Sequence, residues 1–336
     1  MLSVEGSAPS GGVAYKPLMN KILMLGGTGF VGRALCAALV EHSGGAGAGI
    51  LVPSRRPSRS KHLQLLPTVR LQAADVHDEA QLVELLRGCD AVVNLVAVLH
   101  GSEAEFQRVH VELPRKLVRA CRAAGVQRVV HISALGAGGS TEPPSRYLRS
   151  KAGGEAVLTN SGLDVTILRP SVIFGEHDQF LNLFASLLAV FPMMPLAGAQ
   201  AKFQPVWVQD VAAAVLRCLD DPLTIGQTFE CAGPQVFTLK ELVQATGRWS
   251  GHERPVIGLP GGLGRAQAAV MEMLPGTLMS RDNLDSMRVP NIATGQVPGL
   301  RALGIKPATL GSVAPGYLSP GQGVARLDRW RARKGD

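Results

Sequence analysis

The stretch that decides the fold reads Lys21-Ile-Leu-Met-Leu-Gly-Gly-Thr-Gly-Phe-Val-Gly32. Its first five residues are mostly apolar and predict a buried β-strand, and a helical pattern follows over 31–41. Gly27, Gly29 and Gly32 match the spacing G-x-G-x-x-G, and Gly26, Gly29 and Gly32 match G-x-x-G-x-x-G. Glycines between a strand and a helix allow a tight turn, a close backbone approach to a pyrophosphate and close helix–sheet packing. The N-terminus of the helix also favours phosphate, so the stretch predicts a dinucleotide site. The predicted cofactor-binding residues of this loop are Gly26, Gly27, Thr28, Gly29, Phe30, Val31 and Gly32.

Short apolar runs alternate with helical patterns after this stretch. Further strands are predicted over 49–52, 69–73, 91–96, 128–132 and 165–168, with one long helix ending near residue 124. Strands that alternate with helices form βαβ units, whose parallel strands are covered by helices on both faces. The predicted fold class is therefore α/β, a doubly wound parallel sheet of the Rossmann type with a smaller C-terminal lobe.

The composition changes along the 336 residues and predicts three regions. Residues 1–18 are rich in Ser, Gly, Ala and Pro and predict a disordered extension without the pattern of a signal peptide. Residues 19–234 predict the dinucleotide-binding domain, with 176–205 contributing to a second lobe. Residues 235–336, rich in Gly and Pro and ending in a basic tail, predict a smaller lobe that binds substrate or a partner.

The uncharged stretch 179–201 has the length of a membrane span but not its pattern. It contains Asn182, Pro192 and Pro195, which fit a continuous spanning helix poorly. A buried helix over 180–190 followed by a Pro-rich loop is predicted instead.

The composition excludes several functional classes. Apolar residues make up 46% and charged residues 18% of the chain, which excludes a largely disordered protein. Five scattered cysteines without a C-x-x-C pair argue against disulfides and a thiolate zinc site, and dispersed histidines argue against other metal sites. The net charge of +8 favours an anionic partner. Aromatic residues make up only 4% of the chain and no recognition motif is present, so nucleic acid is not expected.

The end of the second predicted strand indicates which dinucleotide binds. A site that prefers NAD usually carries an acidic residue about 20 residues after the glycines, bonded to the ribose 2′-hydroxyl. The sequence here reads Val52-Pro-Ser-Arg-Arg-Pro-Ser-Arg59 and offers no acid. Ser54, Arg55 and Arg56 are predicted to bind a 2′-phosphate, because guanidinium–phosphate contacts are charge-assisted. NADP(H) is therefore preferred over NAD(H), and a solvated basic loop is the alternative.

Two more segments follow predicted strands at the carboxyl edge of the sheet, where this architecture binds ligands. Asp75 and Val76 follow the third strand, where the edge of an adenine is expected. Leu95, Val96 and Ala97 end the fourth strand. All five are predicted cofactor-binding residues.

Tyr147 and Lys151 stand four residues apart and share one face of a predicted helix. A nearby ammonium lowers the pKa of a tyrosine and makes it a usable general acid or base. Ser133, which closes the fifth strand, could bond the same substrate oxygen. Ser133, Tyr147 and Lys151 are therefore the predicted catalytic residues.

The glycine loop, Ser133, Tyr147 and Lys151 together resemble the short-chain dehydrogenase/reductase superfamily, extended type. In that superfamily the tyrosine is the acid/base, the lysine lowers its pKa and holds the nicotinamide ribose, and the serine orients the substrate. The closer resemblance is to an atypical branch, the NADPH-binding accessory subunit of mitochondrial complex I and its bacterial relatives. This resemblance adds Tyr147, Lys151, Pro170 and Val172 as cofactor-binding residues. It rests on the motifs Gly26-Gly-Thr-Gly-Phe-Val-Gly-Arg33, Ser145-Arg-Tyr-Leu-Arg-Ser-Lys151 with Gly154-Glu155, Arg169-Pro-Ser-Val-Ile-Phe-Gly175, Asp178-Gln-Phe-Leu-Asn-Leu-Phe-Ala185, Gln204-Pro-Val-Trp-Val-Gln-Asp210, Ser280-Arg-Asp-Asn-Leu-Asp-Ser-Met287 and Leu300-Arg-Ala-Leu-Gly-Ile305.

The resemblance implies an NADP(H)-binding protein with a structural, assembly or accessory role in respiratory-chain or ubiquinone metabolism. The partners it implies are NADPH and a respiratory or quinone-biosynthesis complex. It also implies a cytoplasmic, bacterial-type location with peripheral contact at the inner face of the membrane. The alternative is an active NADP-dependent oxidoreductase or epimerase that acts on a small carbonyl or hydroxyl substrate through Ser133, Tyr147 and Lys151.

Overall fold

The computed structural model of the protein describes residues 19–45, 47–138, 143–272 and 279–319. The predicted disordered extension over 1–18 and the basic tail at the end of the chain lie outside the described residues. Within the described ranges, no helix is both long enough and apolar enough to cross a membrane.

A parallel sheet of seven strands forms the centre of the fold. Its strands are β1 (Lys21–Leu25), β2 (Gly49–Ser54), β3 (Val69–Ala73), β4 (Ala91–Asn94), β5 (Arg128–Ile132), β6 (Asp164–Pro170) and β11 (Thr228–Cys231). They have the order β11-β6-β5-β4-β1-β2-β3, and each neighbouring pair runs parallel. The chain runs from β1 outward to β2 and β3, and then forms β4, β5 and β6 on the other side of β1. The strand order therefore reverses between β1 and β4, and this reversal is the switch point at the carboxyl edge of the sheet. The predicted doubly wound parallel sheet is confirmed. The other strands are β7 (Ile173–Phe174), β8 (Met194–Leu196), β9 (Lys202–Phe203), β10 (Val206–Trp207), β12 (Phe237–Thr238) and β13 (Val256–Gly258).

Helices cover both faces of this sheet. Ile22 and Met24 pack with α1 (Phe30–His42) and α7 (Val208–Asp220). Leu23 and Leu25 pack with α2 (Glu79–Leu86) and α4 (Leu113–Ala124), because alternate residues of β1 point to opposite faces. The other helices are α3 (Glu103–Gln107), α5 (Arg146–Thr159), α6 (Leu181–Val190), α8 (Leu239–Ser250), α9 (Gly261–Glu272), α10 (Arg281–Ser286) and α11 (Leu310–Leu318), with 3-10 segments at Pro57–Leu65, Pro222–Thr224 and Leu300–Leu303.

The structure adds the short strands β7, β8, β9, β10, β12 and β13, which were not predicted, and differs from the predicted elements at three further places. Strand β11 was not predicted, because its four residues include Glu230, whose charge breaks the apolar pattern of a buried strand. That carboxylate is buried and accepts hydrogen bonds from the backbone N–H and the hydroxyl of Thr294. Strand β4 ends at Asn94 rather than at residue 96. The predicted long helix is helical from Glu103 to Ala124, but a π-helical turn, Arg108–Glu112, separates α3 from α4.

A third apolar cluster joins residues 176–205, the first stretch, to residues beyond 238, the second stretch. Helix α6 confirms the predicted helix and contributes Leu181, Phe184 and Leu188, which pack with residues of α8 and α11. Strand β8 of the first stretch pairs with β13 of the second. Residues 176–205 thus pack with residues beyond 238, and the division of the chain at residue 234 stays a prediction.

Candidate active site

The predicted site residues follow the carboxyl ends of six neighbouring strands. Neighbouring strands lie about 4.8 Å apart, so the edge from β6 to β3 spans roughly 24 Å. The residues come in the order of the strands: Pro170 and Val172 at β6, Ser133 at β5, Leu95, Val96 and Ala97 at β4, the glycine loop at β1, Ser54, Arg55 and Arg56 at β2, and Asp75 and Val76 at β3.

The glycine loop lies directly against the end of β4. Gly26 has φ +79°, and a Cβ built on it would lie 3.0 Å from the carbonyl carbon of Leu95 and 3.1 Å from the backbone nitrogen of Val96. A Cβ built on Gly32 would lie 2.4 Å from the Cα of Gly27, so α1 packs against the turn with no room for a side chain. The structure therefore brings the loop together with two of the three predicted residues of β4.

The N-terminus of α1 faces this loop without a side-chain cap. Gly29 is the N-cap residue, and no side chain among the described residues accepts a hydrogen bond from the first turn. Helix N-termini in this state bind phosphate groups through their backbone N–H groups and the helix dipole. The close-packed glycines and the uncapped helix fit the pyrophosphate of a dinucleotide.

The end of β2 presents two cations. Arg55 and Arg56 are exposed, and neither forms an ion pair with an acid in the part of the chain that the structure describes. The hydroxyl of Ser54 accepts a hydrogen bond from the backbone N–H of Arg56 at 3.2 Å. The carbonyl of Ser54 accepts one from the N–H of Ala74, the residue before Asp75. The segments that follow β2 and β3 are therefore adjacent, and the cations are available to an anionic ligand.

Helix α5 carries Tyr147 and Lys151 on one face, and Ser145 caps its N-terminus. Lys151 is only 2% exposed, and its ammonium donates a hydrogen bond to the carbonyl of Ile132 at 2.7 Å. Burial lowers the pKa of Lys151 to about 8, while the nearby carboxylate of Glu155 opposes this shift. Lys151 therefore contacts the end of β5, one residue before Ser133.

The hydrogen bonding of Ser133 and the pKa of Tyr147 decide what these two side chains can do. The hydroxyl of Ser133 is buried and makes no hydrogen bond with any described residue, which leaves its bonding capacity for a ligand. Burial raises the pKa of Tyr147 to about 12. The expectation that Lys151 lowers this pKa is therefore wrong for this structure, because desolvation of the phenolate dominates and the ammonium is directed to the carbonyl of Ile132.

Two aromatic side chains that the sequence did not single out surround Tyr147. The rings of His110 and Phe106 contact the tyrosine ring edge-on, with centroids 5.5 Å and 6.0 Å from it. Both residues belong to the helical segment before α4, far from Tyr147 along the chain. The sequence around an aromatic residue on a helix does not show which distant residue it will contact. Only the packing of α5 against this segment therefore reveals the cluster.

Hydrogen bonds fix the protonation of His110. Its Nε2 accepts a hydrogen bond from the backbone N–H of Val98 at 3.1 Å, so Nδ1 carries the proton and donates to the Ser150 hydroxyl at 2.7 Å. The Ser150 hydroxyl in turn donates to the carbonyl of Tyr147 at 2.7 Å. Burial, with a smaller contribution from Lys151, lowers the pKa of His110 to about 3. The imidazole is therefore neutral and acts as a fixed support for α5.

The remaining predicted residues and motifs make contacts within the sheet region and with the second lobe. The backbone N–H of Val172 donates to the side-chain oxygen of Asn291 at 3.0 Å, and the carbonyl of Pro170 accepts from the N–H of Leu135 at 2.9 Å. Arg169 forms a two-pronged ion pair with Glu155 of α5. Several positions quoted for the resemblance thus have a structural role in this fold.

A family model described as NAD(P)H-binding matches residues 26–222, from the glycine loop to the end of α7. The chain belongs to the NAD(P)H-binding family. This confirms nucleotide binding at the level of NAD(P)H, without a choice between the two dinucleotides.

Curated relatives of this NAD(P)H-binding protein include a mitochondrial subunit. The chain is 32% identical over 305 residues to NADH dehydrogenase (ubiquinone) 1 alpha subcomplex subunit 9 of Mus musculus, covering 85% of this chain and 76% of the relative. It is 35% identical over 233 residues to the protein of the same name from Arabidopsis thaliana, covering 66% of this chain and 56% of that relative. The resemblance inferred from the sequence is thus confirmed.

Solved structures agree on the fold of this NAD(P)H-binding protein. The crystal structure of a dTDP-glucose 4,6-dehydratase from Streptomyces venezuelae with NAD bound superposes with a TM-score of 0.69 at 23% identity. The match covers 94% of this chain and 98% of the dehydratase. At this identity the likeness supports the extended Rossmann fold alone.

Proposed function

We propose that this protein holds NADP(H) along the carboxyl edge of its sheet and serves as an accessory or assembly factor in respiratory-chain or ubiquinone metabolism. The observation that carries the proposal is the environment of the tyrosine–lysine pair. Lys151 is buried and bonded to the carbonyl of Ile132, and the pKa of Tyr147 is raised to about 12. This arrangement favours holding a cofactor over proton transfer, because a general acid works best with a pKa near the working pH.

The choice of NADP(H) over NAD(H) rests on the end of β2. Arg55 and Arg56 are exposed cations beside the Ser54 hydroxyl, and the segment 52–59 offers no acid to bond a ribose 2′-hydroxyl. A guanidinium bonds a phosphate with two charge-assisted hydrogen bonds, and this favours the dinucleotide that carries a 2′-phosphate.

The contacts proposed for the other cofactor-binding residues follow from their order along the carboxyl edge of the sheet. The uncapped first turn of α1 would hold the pyrophosphate, and Asp75 and Val76 would lie beside the adenine. Leu95, Val96 and Ala97 would line the middle of the cofactor. Lys151, Tyr147, Pro170 and Val172 would lie around the nicotinamide half. This assignment predicts an extended cofactor that runs from β3 to β6 across the switch point.

The cellular role is proposed from the relatives. The mouse and Arabidopsis proteins are named as subunits of an NADH dehydrogenase that reduces ubiquinone. A partner for this chain would then be a respiratory or quinone-biosynthesis complex. A cytoplasmic location with peripheral contact at the inner face of the membrane fits such a partner.

A second candidate function is an active NADP-dependent oxidoreductase or epimerase. The specific observation in its favour is the buried hydroxyl of Ser133, which lacks a hydrogen-bond partner among the described residues and could orient a substrate oxygen. With Tyr147 as proton donor and Lys151 at the ribose, the set is chemically complete for a small carbonyl or hydroxyl substrate.

The experiment that tests the proposal starts from protein purified from cells without added nucleotide. Nucleotide released by mild denaturation is identified by mass spectrometry, and the proposal expects NADPH or NADP⁺ in near-stoichiometric amount. Intact protein is then mixed with ubiquinone precursors and small carbonyl compounds, while the absorbance of the bound NADPH is followed. Stable NADPH supports the accessory role, turnover establishes the enzyme instead, and bound NAD(H) contradicts the cofactor assignment.

A further inference from the structure

A cavity of about 630 Å³ lies beside α1, away from the residues of that helix that pack on the sheet. Phe30, Arg33, Ala34 and Ala37 line it and share one face of α1 at helical spacing. Other lining residues come from the segment after β2, from the start of α7 and from α11. Of all the residues predicted to bind the cofactor, only Phe30 lines this cavity. The cavity is therefore distinct from the carboxyl edge.

The charge of Arg33 is uncompensated in this cavity. Its Nε is buried and has no hydrogen-bond partner, and no acid pairs with its guanidinium among the residues that the structure describes. A buried donor without a partner is unfavourable, and more so when the group is charged. Glu176, His62 and His177 also line the cavity, but all three are exposed and lie at its rim. The interior therefore presents one cation that lacks an anion.

Most of the remaining wall of the cavity is apolar, and its one other polar residue, Gln209, is exposed. Leu63, Val208 and Tyr317 are buried lining residues, and Trp207 and Val313 are half-buried. The Tyr317 hydroxyl is already bonded to Asp178 at 2.9 Å, so the ring offers only its apolar surface. An apolar wall around one polar anchor is the usual composition of a small-molecule site.

We propose that this cavity binds an anionic amphiphile, a molecule with a carboxylate or phosphate head and an apolar tail. The head pairs with the half-buried guanidinium of Arg33, which lines the cavity. The tail displaces water from the surface formed by Trp207, Val208 and Val313, which is favourable in proportion to the apolar area covered. This ligand binds together with the dinucleotide, because the two sites share only Phe30.

The test measures binding of the fluorescent fatty acid cis-parinaric acid and of its methyl ester to protein saturated with NADPH. The acid is expected to bind at least tenfold more tightly than the ester, because only the acid carries a charge for Arg33. Arg33→Gln should reduce the affinity for the acid to that of the ester and leave NADPH affinity unchanged. Arg70→Gln, at an exposed arginine of β3 outside the cavity, is the matched control and should bind the acid like the wild type.

A second variant covers the case in which Arg33→Gln folds poorly. Gly316 lines the cavity, and a Cβ built on it would meet no atom within 4 Å, so Gly316→Leu places a side chain in the cavity with little strain. It should also lower the affinity for the acid at least tenfold. Competition by palmitate or by lysophosphatidate shows which head group the site prefers and supports the proposal in either case. Displacement of the acid by inorganic phosphate alone, equal binding of acid and ester, or wild-type affinity in both variants would overturn it.

Discussion

The carboxylate of Asp282 accepts a hydrogen bond from the backbone N–H of Tyr147 at 3.1 Å. It also accepts one from the N–H of Arg146 at 2.8 Å. Asp282 belongs to α10 in the C-terminal part of the chain, whereas Tyr147 lies in the first turn of α5. A carboxylate at a helix N-terminus satisfies its free N–H groups and interacts favourably with the helix dipole. The position of the second lobe is thereby coupled to the helix that carries Lys151.

This coupling predicts that Asp282→Ala destabilises the protein and weakens NADPH binding together. The substitution leaves two N–H groups of α5 without their buried acceptor, and we expect a loss of about 1–3 kcal/mol in the free energy of unfolding. Urea unfolding and calorimetric titration with NADPH measure both effects. Asp285→Ala, in the same helix, is the control, because the exposed pairs of Asp285 with Arg265 and Arg288 contribute little. Unchanged NADPH affinity in Asp282→Ala would show that the lobe does not position α5.

The cofactor assignment predicts a selective loss in the double variant Arg55→Ala/Arg56→Ala. A hydrogen bond to a charged group contributes about 1.5–3 kcal/mol, so NADPH should bind at least tenfold more weakly. NADH lacks the 2′-phosphate and should bind as it does to the wild type. Titration of both dinucleotides against the wild type, the double variant and Arg70→Ala makes the comparison. An equal loss for NADPH and NADH would contradict the assignment of these residues to the 2′-phosphate.

Variants at Tyr147 and Lys151 are predicted to distinguish cofactor binding from catalysis. Tyr147→Phe removes only a hydroxyl, so NADPH affinity should stay within about twofold and respiration of the cells should be unchanged. Lys151→Ala removes the ammonium expected at the nicotinamide ribose and should weaken NADPH binding at least tenfold. Loss of NADPH then lowers apparent stability, since ligand at 100 times its dissociation constant contributes about 2.7 kcal/mol. A respiratory or quinone defect in a Tyr147→Phe strain with normal protein level would identify an enzyme instead.

The buried ammonium of Lys151 predicts a pH dependence of stability in the protein without cofactor. Its pKa falls from 10.5 to about 8 on folding, so between these values the unfolded chain binds more protons than the folded one. The contribution of this group to the free energy of unfolding should therefore rise with pH across that window and stay constant below it. The difference in unfolding free energy between wild type and Lys151→Met should shift by about 2 kcal/mol between pH 7.5 and pH 9.5.

Urea unfolding at the two pH values measures this shift. Lys61→Met, at an exposed lysine, is the control and should give a difference that does not change with pH. The comparison with Lys151→Met removes the contribution of the buried cysteines, whose raised pKa values make stability fall as pH rises. A constant difference for Lys151→Met would show that the ammonium is not desolvated.

The packing of α1 on the glycine loop predicts that Gly32→Ala abolishes nucleotide binding. The added Cβ would lie 2.4 Å from the Cα of Gly27, so the loop has to move away from the helix N-terminus. Such overpacking costs about 1–3 kcal/mol in stability. Gly262→Ala in α9 is the matched control, because a Cβ there meets no atom within 4 Å. Differential scanning fluorimetry with and without NADPH measures both effects, and retained NADPH stabilisation in Gly32→Ala would refute the role of this contact.

The sequence by itself determined the sheet and the position of the nucleotide loop. Strand, glycine turn and helix are consecutive in the chain, so the spacing of Gly26, Gly29 and Gly32 carries their geometry directly. The same locality places Tyr147 and Lys151 on one helical face. Strand β11 escaped prediction because the buried carboxylate of Glu230 is stabilised by hydrogen bonds from Thr294 and Gly295, which are distant in sequence.

Only the tertiary structure decided what surrounds the side chains. His110 and Phe106 meet Tyr147, and Asp282 caps α5, through contacts between segments that no local pattern connects. The same holds for the pKa of Tyr147, which the sequence predicted to fall because Lys151 is one turn away. Desolvation raises this pKa instead, and desolvation depends on how distant parts of the chain pack. Local spacing fixes which groups share a face, whereas desolvation and long-range contacts fix what those groups do.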